Sequence, residues 1–181
     1  MKELRLPREL SIRFYLGDGV PKMPPPSTPI SEALAVIEKN GSELIAATVM
    51  LEDRMIEAVG KLLFPKGSDM QLQRDFFAEE VMGTSDFSFA FKRKVFTRLL
   101  ERTDALDAGA IKELKAGLNK IMEWRNAFAH GKIVHEHNGG FVLFYYSGGR
   151  KELVLDDALF EQVEGTICNC LYQCNGVIQA G

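Results

Sequence analysis

Seven consecutive residues, Arg125-Asn126-Ala127-Phe128-Ala129-His130-Gly131, carry the groups in this chain best suited to chemistry. A guanidinium is a permanent cation whose forked donors hold a phosphate and stabilise the charge of a pentacoordinate phosphorus. An imidazole titrating near neutrality takes a proton from a ribose 2′-hydroxyl or returns one to a leaving oxygen. An amide such as that of Asn126 orients either group. The three groups of Arg125, Asn126 and His130 form a minimal metal-free constellation for RNA cleavage.

These groups need a helix to present them. Asp104 or Asp107 can start one that runs through Ile111, Leu114, Leu118, Ile121 and Met122 to His130, and Gly131 is placed to close it as the C′ residue. On an ideal wheel Arg125 falls among Leu114, Leu118, Ile121 and Met122, on the side expected to be buried. Asn126 and His130 share a more polar edge with Lys112 and Asn119. Arg125 and His130 are five positions apart, about 140° around the axis. They converge if the helix unwinds at Gly131, if the arginine curls round, or if two copies of the helix meet across a two-fold axis. The same positions allow a purely structural reading. In it Arg125 satisfies Glu52 across the core, Asn126 bonds a loop carbonyl, and His130 interacts with the last carbonyls of the helix.

Glu52 belongs to the longest clean helical segment, Glu43 to Phe64, which Pro65 ends. Leu44, Ile45, Thr48, Val49, Leu51, Met55, Ile56, Val59, Leu62 and Leu63 fill a broad apolar arc, with Asp53, Arg54, Glu57 and Lys61 opposite. Glu52 falls within that arc, where a carboxylate needs a cation or several donors. Upstream, Ser31 can cap a helix with Glu32 in its first turn. Asn40-Gly41 is expected to interrupt or kink that helix, and Ser42 to cap a restart. Downstream come a polar loop over 66–71, a short helix over 72–82, a turn at 83–86 and a helix over 87–102. The last carries Lys92, Arg93, Lys94 and Arg98 with Phe89, Phe91 and Phe96 interleaved. Either this is a groove for an RNA backbone, or it is a solvated face whose phenylalanines pack inward.

After Gly131 the periodicity changes. Three short strands are expected at Ile133–His135, Phe141–Tyr146 and Glu152–Leu155, with turns at Asn138-Gly139-Gly140 and Ser147-Gly148-Gly149. A strand over 11–16, where Ile12, Phe14 and Leu16 alternate with Arg13 and Tyr15, can join this sheet. Five prolines between Gly17 and Pro29 exclude a helix there. A final helix spans 156–178, with acidic residues in its first turn as the helix dipole favours. The expected architecture is mainly α: residues 1–30 form a strand and proline-rich arm, and 31–181 form one helical bundle with a small antiparallel sheet inserted at 132–155 and a C-terminal helix.

Composition narrows the function classes. With 46% hydrophobic and 26% charged residues the chain reads as a globular protein of one domain. A formal net charge of −3 excludes a globally basic nucleic-acid binder but leaves room for a local basic site. No apolar run reaches the roughly 18 residues of a membrane span, and residues 1–16 lack a signal-peptide pattern. Cys168, Cys170 and Cys174 are odd in number and crowded, so no disulfide framework is expected and the cytoplasm is the expected setting. His135-Glu136-His137 with these cysteines lacks zinc-knuckle spacing, so neither a metal nor another cofactor is expected. Walker, dinucleotide and serine-hydrolase motifs are not found.

Arg125-Asn126-x-x-x-His130 resembles the R-x4–6-H motif of the HEPN superfamily, in which a polar residue, often asparagine, follows the arginine. The resemblance implies a helical bundle that forms a homodimer with the motif at the interface. It further implies a metal-independent endoribonuclease of toxin–antitoxin or other defence systems, with RNA as substrate and Arg125 and His130 catalytic. In HEPN toxins paired with a nucleotidyltransferase antitoxin, a tyrosine commonly stands two residues after the histidine. Here that residue is Lys132, so that mode of antitoxin control is not expected. The pattern Glu43-Leu-Ile-Ala-Ala-Thr-Val-Met-Leu-Glu52, then Phe87-Ser-Phe-Ala-Phe-Lys92, then Ile121-x-x-x-Arg125-Asn126-x-Phe128-Ala129-His130 is similar to the HEPN-like mannitol operon repressor family over residues 31–131. This second resemblance implies a non-catalytic transcription regulator or protein-interaction module, without an obvious DNA-reading helix, in which the sheet or the basic helix binds a protein partner.

Overall fold

An unbroken helix of 35 residues, α1 (Pro29–Leu63), runs through the centre of the structure, a computed structural model that describes residues 29–64, 70–84, 86–136 and 140–180. The strand expected over 11–16, the proline-rich arm and the Asn138-Gly139 part of the first hairpin turn lie outside those residues. Asn40-Gly41 does not interrupt α1. The Ser42 hydroxyl donates to the Glu38 carbonyl oxygen one turn back, at 3.0 Å, and so caps nothing. Gly41 is buried, and a Cβ on it would lie 2.6 Å from Cδ1 of Phe128. The glycine lets the phenylalanine ring lie directly on the helix backbone, and this packing offsets a helix-propensity cost of about 1 kcal/mol.

A short helix, α2 (Gln71–Phe76), continues as one π-helical stretch, Phe77–Met82. Then α3 (Phe89–Leu100) begins at Ser88, whose hydroxyl accepts the Phe91 N–H at 3.3 Å. It is shorter at both ends than the expected 87–102. The N-cap of α4 (Ala108–His130) is Asp107, one of the two expected aspartates, which accepts the Ala110 N–H at 2.9 Å. Three antiparallel strands follow in the order β1 (Lys132–His135), β2 (Phe141–Tyr146), β3 (Arg150–Val154), with Val142 opposite both Val134 and Val154. The β2–β3 turn needs its glycines: Gly148 and Gly149 sit at φ of +68° and +147°. Asp156 caps α5 (Asp157–Ala180) by accepting the Leu159 N–H at 2.8 Å.

The fold is mainly α, a helical bundle with a three-stranded sheet and a C-terminal helix, as the sequence pattern implies. Leu51, Met55, Phe96, Leu100, Leu114, Leu118, Ile121 and Cys174 are fully enclosed between α1, α3, α4 and α5. The last two of these helices run antiparallel. Phe128 packs near Phe160 with ring centroids 6.4 Å apart, and further along Gly117 faces Cys170. Ile45, Val49 and Leu63, expected in the α1 core arc, are exposed, whereas Ile56 on the same edge is buried where α2 and the π-helical stretch flank the helix. Among the described residues no helix is long and apolar enough to cross a membrane.

Replacing Gly41 with alanine forces its Cβ into the Phe128 ring. Overpacking of this kind costs about 1–3 kcal/mol. Urea denaturation should show that loss for Gly41→Ala and a partial recovery when Phe128→Leu is added.

Candidate functional site

The buried side of α4 is not a straight stripe. Leu114, Leu118 and Ile121 are buried first, then Trp124 and Ala127. Steps of three residues each turn the inward face back by about 60° on a helix of 3.6 residues per turn. The neighbours change along the helix, and the buried face follows them. Near its N-terminus α4 meets α3, where Lys115 pairs with Glu101. Its C-terminal half lies under the sheet, where the Tyr145 hydroxyl donates to Glu123 Oε1 at 3.0 Å and the Lys151 ammonium reaches the same oxygen at 2.6 Å. Arg125 is therefore not on the buried side where an ideal wheel puts it. It is exposed, as are Asn126 and His130.

The cation that Glu52 requires comes from elsewhere. Lys92 is 4% exposed, and its ammonium donates to Glu52 Oε1. This corrects two expectations: Glu52 does not pair with Arg125, and Lys92 is not part of an RNA-facing surface. Lys92 stands three residues after Phe89 and four before Phe96, both buried, so its stem lies along the inner face of α3. Of the other expected RNA-binding cations, Arg93 is half-buried, with Nη1 enclosed and without a hydrogen-bond partner. Lys94 and Arg98 are exposed, and Arg98 approaches Glu101 at 3.7 Å. Phe91, exposed and stacked on Phe87 at 4.5 Å, shares a row with Lys94 and Arg98 at i, i+3, i+7. The basic patch thus shrinks to one aromatic ring and two cations.

The last turns of α4 stay helical through His130, so the helix does not unwind to bring Arg125 and His130 together. Arg125 Nη1 donates to Asn126 Oδ1 at 3.3 Å, which turns the guanidinium toward the edge that Asn126 shares with His130. Gly131 ends the helix, but as an extended residue (φ −84°, ψ 174°) rather than a left-handed one. Its N–H bonds the Ala127 carbonyl at 2.7 Å. A Cβ there would overlap that carbonyl oxygen and lie 2.8 Å from Leu143 Cδ1 and 2.9 Å from the Phe144 oxygen. The helix end is wedged against β2, and this fixes where His130 projects.

Compared with protein-family models, curated proteins and solved structures, the chain matches none. The site is therefore read from its geometry. A groove of about 590 Å³ between α1 and the π-helical stretch and another of about 530 Å³ between α1 and α5 are lined by other residues. His135 packs edge-on against Phe141 at 4.9 Å, and His137 lies outside the described residues. Among the described residues no group of three or more His, Cys, Asp or Glu is arranged to hold a metal ion. Burial pushes the Cys170 and Cys174 thiols up to about 12, whereas Cys168 is exposed.

The Glu123–Tyr145–Lys151 network that steers this helix end was not anticipated from sequence, because its members lie on separate elements. The Lys151 ammonium, then the Tyr145 hydroxyl, holds the Glu123 carboxyl below the usual range. Burial, then the Glu123 carboxylate, pushes the Tyr145 phenol up to about 12. A depressed carboxyl stabilises the fold above its unfolded value and loses that contribution as pH falls through the folded one. A raised phenol stabilises it below about 10 and loses that contribution as pH rises toward 12.

Two measurements test this arrangement. Glu52→Gln strands the enclosed Lys92 ammonium and should cost about 3 kcal/mol, most of it regained when Lys92→Met is added. Arg125→Ala should change stability by no more than about 0.5 kcal/mol; chemical denaturation reads both. Ultraviolet titration should find a tyrosine ionising near 12 that moves toward the ordinary value in Glu123→Gln.

Proposed function

We propose that this protein is a metal-independent endoribonuclease that works as a dimer, with Arg125 and His130 at the scissile phosphate and Asn126 orienting the guanidinium. One observation carries the reading. A guanidinium, an amide and an imidazole stand exposed on the last two turns of a rigidly held helix, and the structural duty that would have explained the arginine belongs to Lys92. In the reaction His130 accepts the proton of a ribose 2′-hydroxyl. That oxygen attacks the adjacent phosphorus, and the bond to the 5′-oxygen breaks. The leaving oxygen is protonated by the imidazolium of a second His130 or by water. Arg125 stabilises the charge on the non-bridging oxygens. The separation of Arg125 and His130 around the helix favours pairing the arginine of one copy with the histidine of another. The Phe91, Lys94, Arg98 row suits a strand of RNA by stacking and by phosphate contact.

A non-catalytic interaction module is the second reading. The groove between α1 and α5 favours it: carboxylates of Glu43, Asp157, Glu161 and Glu164 rim a floor that includes Leu44 and Phe160. That rim repels a phosphate backbone and suits a cationic protein segment.

Purified protein incubated with RNA and a chelator should cut it, and Arg125→Ala and His130→Ala should each reduce the rate at least about 100-fold with an unchanged melt. Equal cutting by wild type and variants, or none by either, removes the nuclease reading and leaves the module.

A further inference from the structure

We propose that the outer face of the three-stranded sheet is a platform on which the bases of single-stranded RNA stack, centred on Phe144 and Tyr146. Side chains alternate across the central strand β2. Phe141, Leu143 and Tyr145 belong to the core, and Tyr145 reaches Glu123 on α4. Phe144 and Tyr146 therefore stand together on the opposite face, two positions apart. Tyr146 is 84% exposed, and Phe144 is half-buried.

The register adds a cation on either side. Lys132 on β1 is opposite Phe144, and Arg150 on β3 is opposite Tyr146. Residues paired across strands share a face, so both cations flank the two rings. Both are exposed, and among the described residues neither makes an ion pair. The Arg150 guanidinium lies over the Phe144 ring, 4.5 Å from its centroid. Open aromatic rings and a flat guanidinium suit unpaired bases, which have a π-face whatever their sequence. The flanking cations suit the phosphates between those bases. A duplex keeps its bases stacked within and offers none to the rings. Glu152, opposite Phe144 on β3, holds the net charge of this face low. Stacking rather than charge therefore supplies most of the affinity.

The inference deepens the nuclease reading and rests on it for the choice of RNA as the strand. The helix α4 packs on the other face of the sheet, and the chain rounds the sheet edge between His130 and Lys132. Those two residues are at most about 7 Å apart between Cα atoms. A strand stacked on Phe144 and Tyr146 continues past Lys132 toward His130 around that edge.

Fluorescence anisotropy with a short labelled RNA, 2′-O-methylated throughout so that no 2′-hydroxyl can attack, tests the platform apart from cutting. The wild type should bind it, and a duplex of the same sequence should bind at least about tenfold more weakly. Tyr146→Ala should weaken binding about tenfold, the loss of one stacked base, with an unchanged thermal melt. Tyr146→Phe should stay within about twofold of wild type, because the ring and not the hydroxyl makes the contact. Tyr172→Ala, at an exposed tyrosine of α5, should change nothing. Two phosphate contacts predict a shallow salt dependence, with a log–log slope of about 1.4. No binding by the wild type, Tyr146→Ala binding as tightly as wild type, or a duplex binding as tightly as the single strand would overturn the proposal. A protein that binds through Tyr146 yet cuts no unmodified RNA keeps the platform and removes the nuclease reading. One that cuts RNA while Tyr146→Ala binds as well as wild type does the reverse.

Discussion

A carboxylate within the apolar arc of α1 is the constraint on which the arrangement turns. Glu52 is half-buried there and faces the enclosed ammonium of Lys92, a charge that costs several kcal/mol if left unpaired. Lys92 reaches Glu52 from the inner face of α3, and the pairing ties α3 to α1. One consequence is structural: the basic helix is anchored by a residue that looks like part of its solvent face. The other is functional: Arg125, on a different helix, has no core charge to neutralise and stands in solvent.

The helix bearing Arg125 is held by two different surfaces. Its first half packs in the bundle through Leu114, Leu118 and Ile121, and its second half is drawn under the sheet by Trp124, Ala127 and the Glu123–Tyr145–Lys151 network. Gly131 then locks the helix end against β2. The polar groups of the last two turns are exposed, yet the backbone that carries them is fixed on its opposite side. On the proposed nuclease reading, a substrate would meet groups already in place.

The sequence revealed whatever depends on near neighbours. The Asp107 cap, the end of α4 at His130 and the three strands were legible because capping, turn chemistry and periodicity act over a few residues. What depends on contacts across the fold was not. Gly41 reads as a helix breaker by propensity, but it is a contact point for a ring from α4. Arg125 reads as buried on a wheel that assumes one partner for the whole helix, and the sheet rotates the inward face away from it. Lys92 left a signal that charge obscured: its spacing from Phe89 and Phe96 is that of a core position. Val49 reads as core, and its exposure became visible only once the bundle showed where along α1 that edge stays uncovered.

The ends left on cut RNA test the central claim most directly. If a 2′-oxygen attacks the phosphorus beside Arg125 with His130 taking its proton, RNA cut in the presence of chelator carries 2′,3′-cyclic phosphate on one fragment and a 5′-hydroxyl on the other. Fragments ending in 3′-hydroxyl and 5′-phosphate would mean that water, not the ribose, was the nucleophile, and the roles assigned to this arginine and histidine would be wrong.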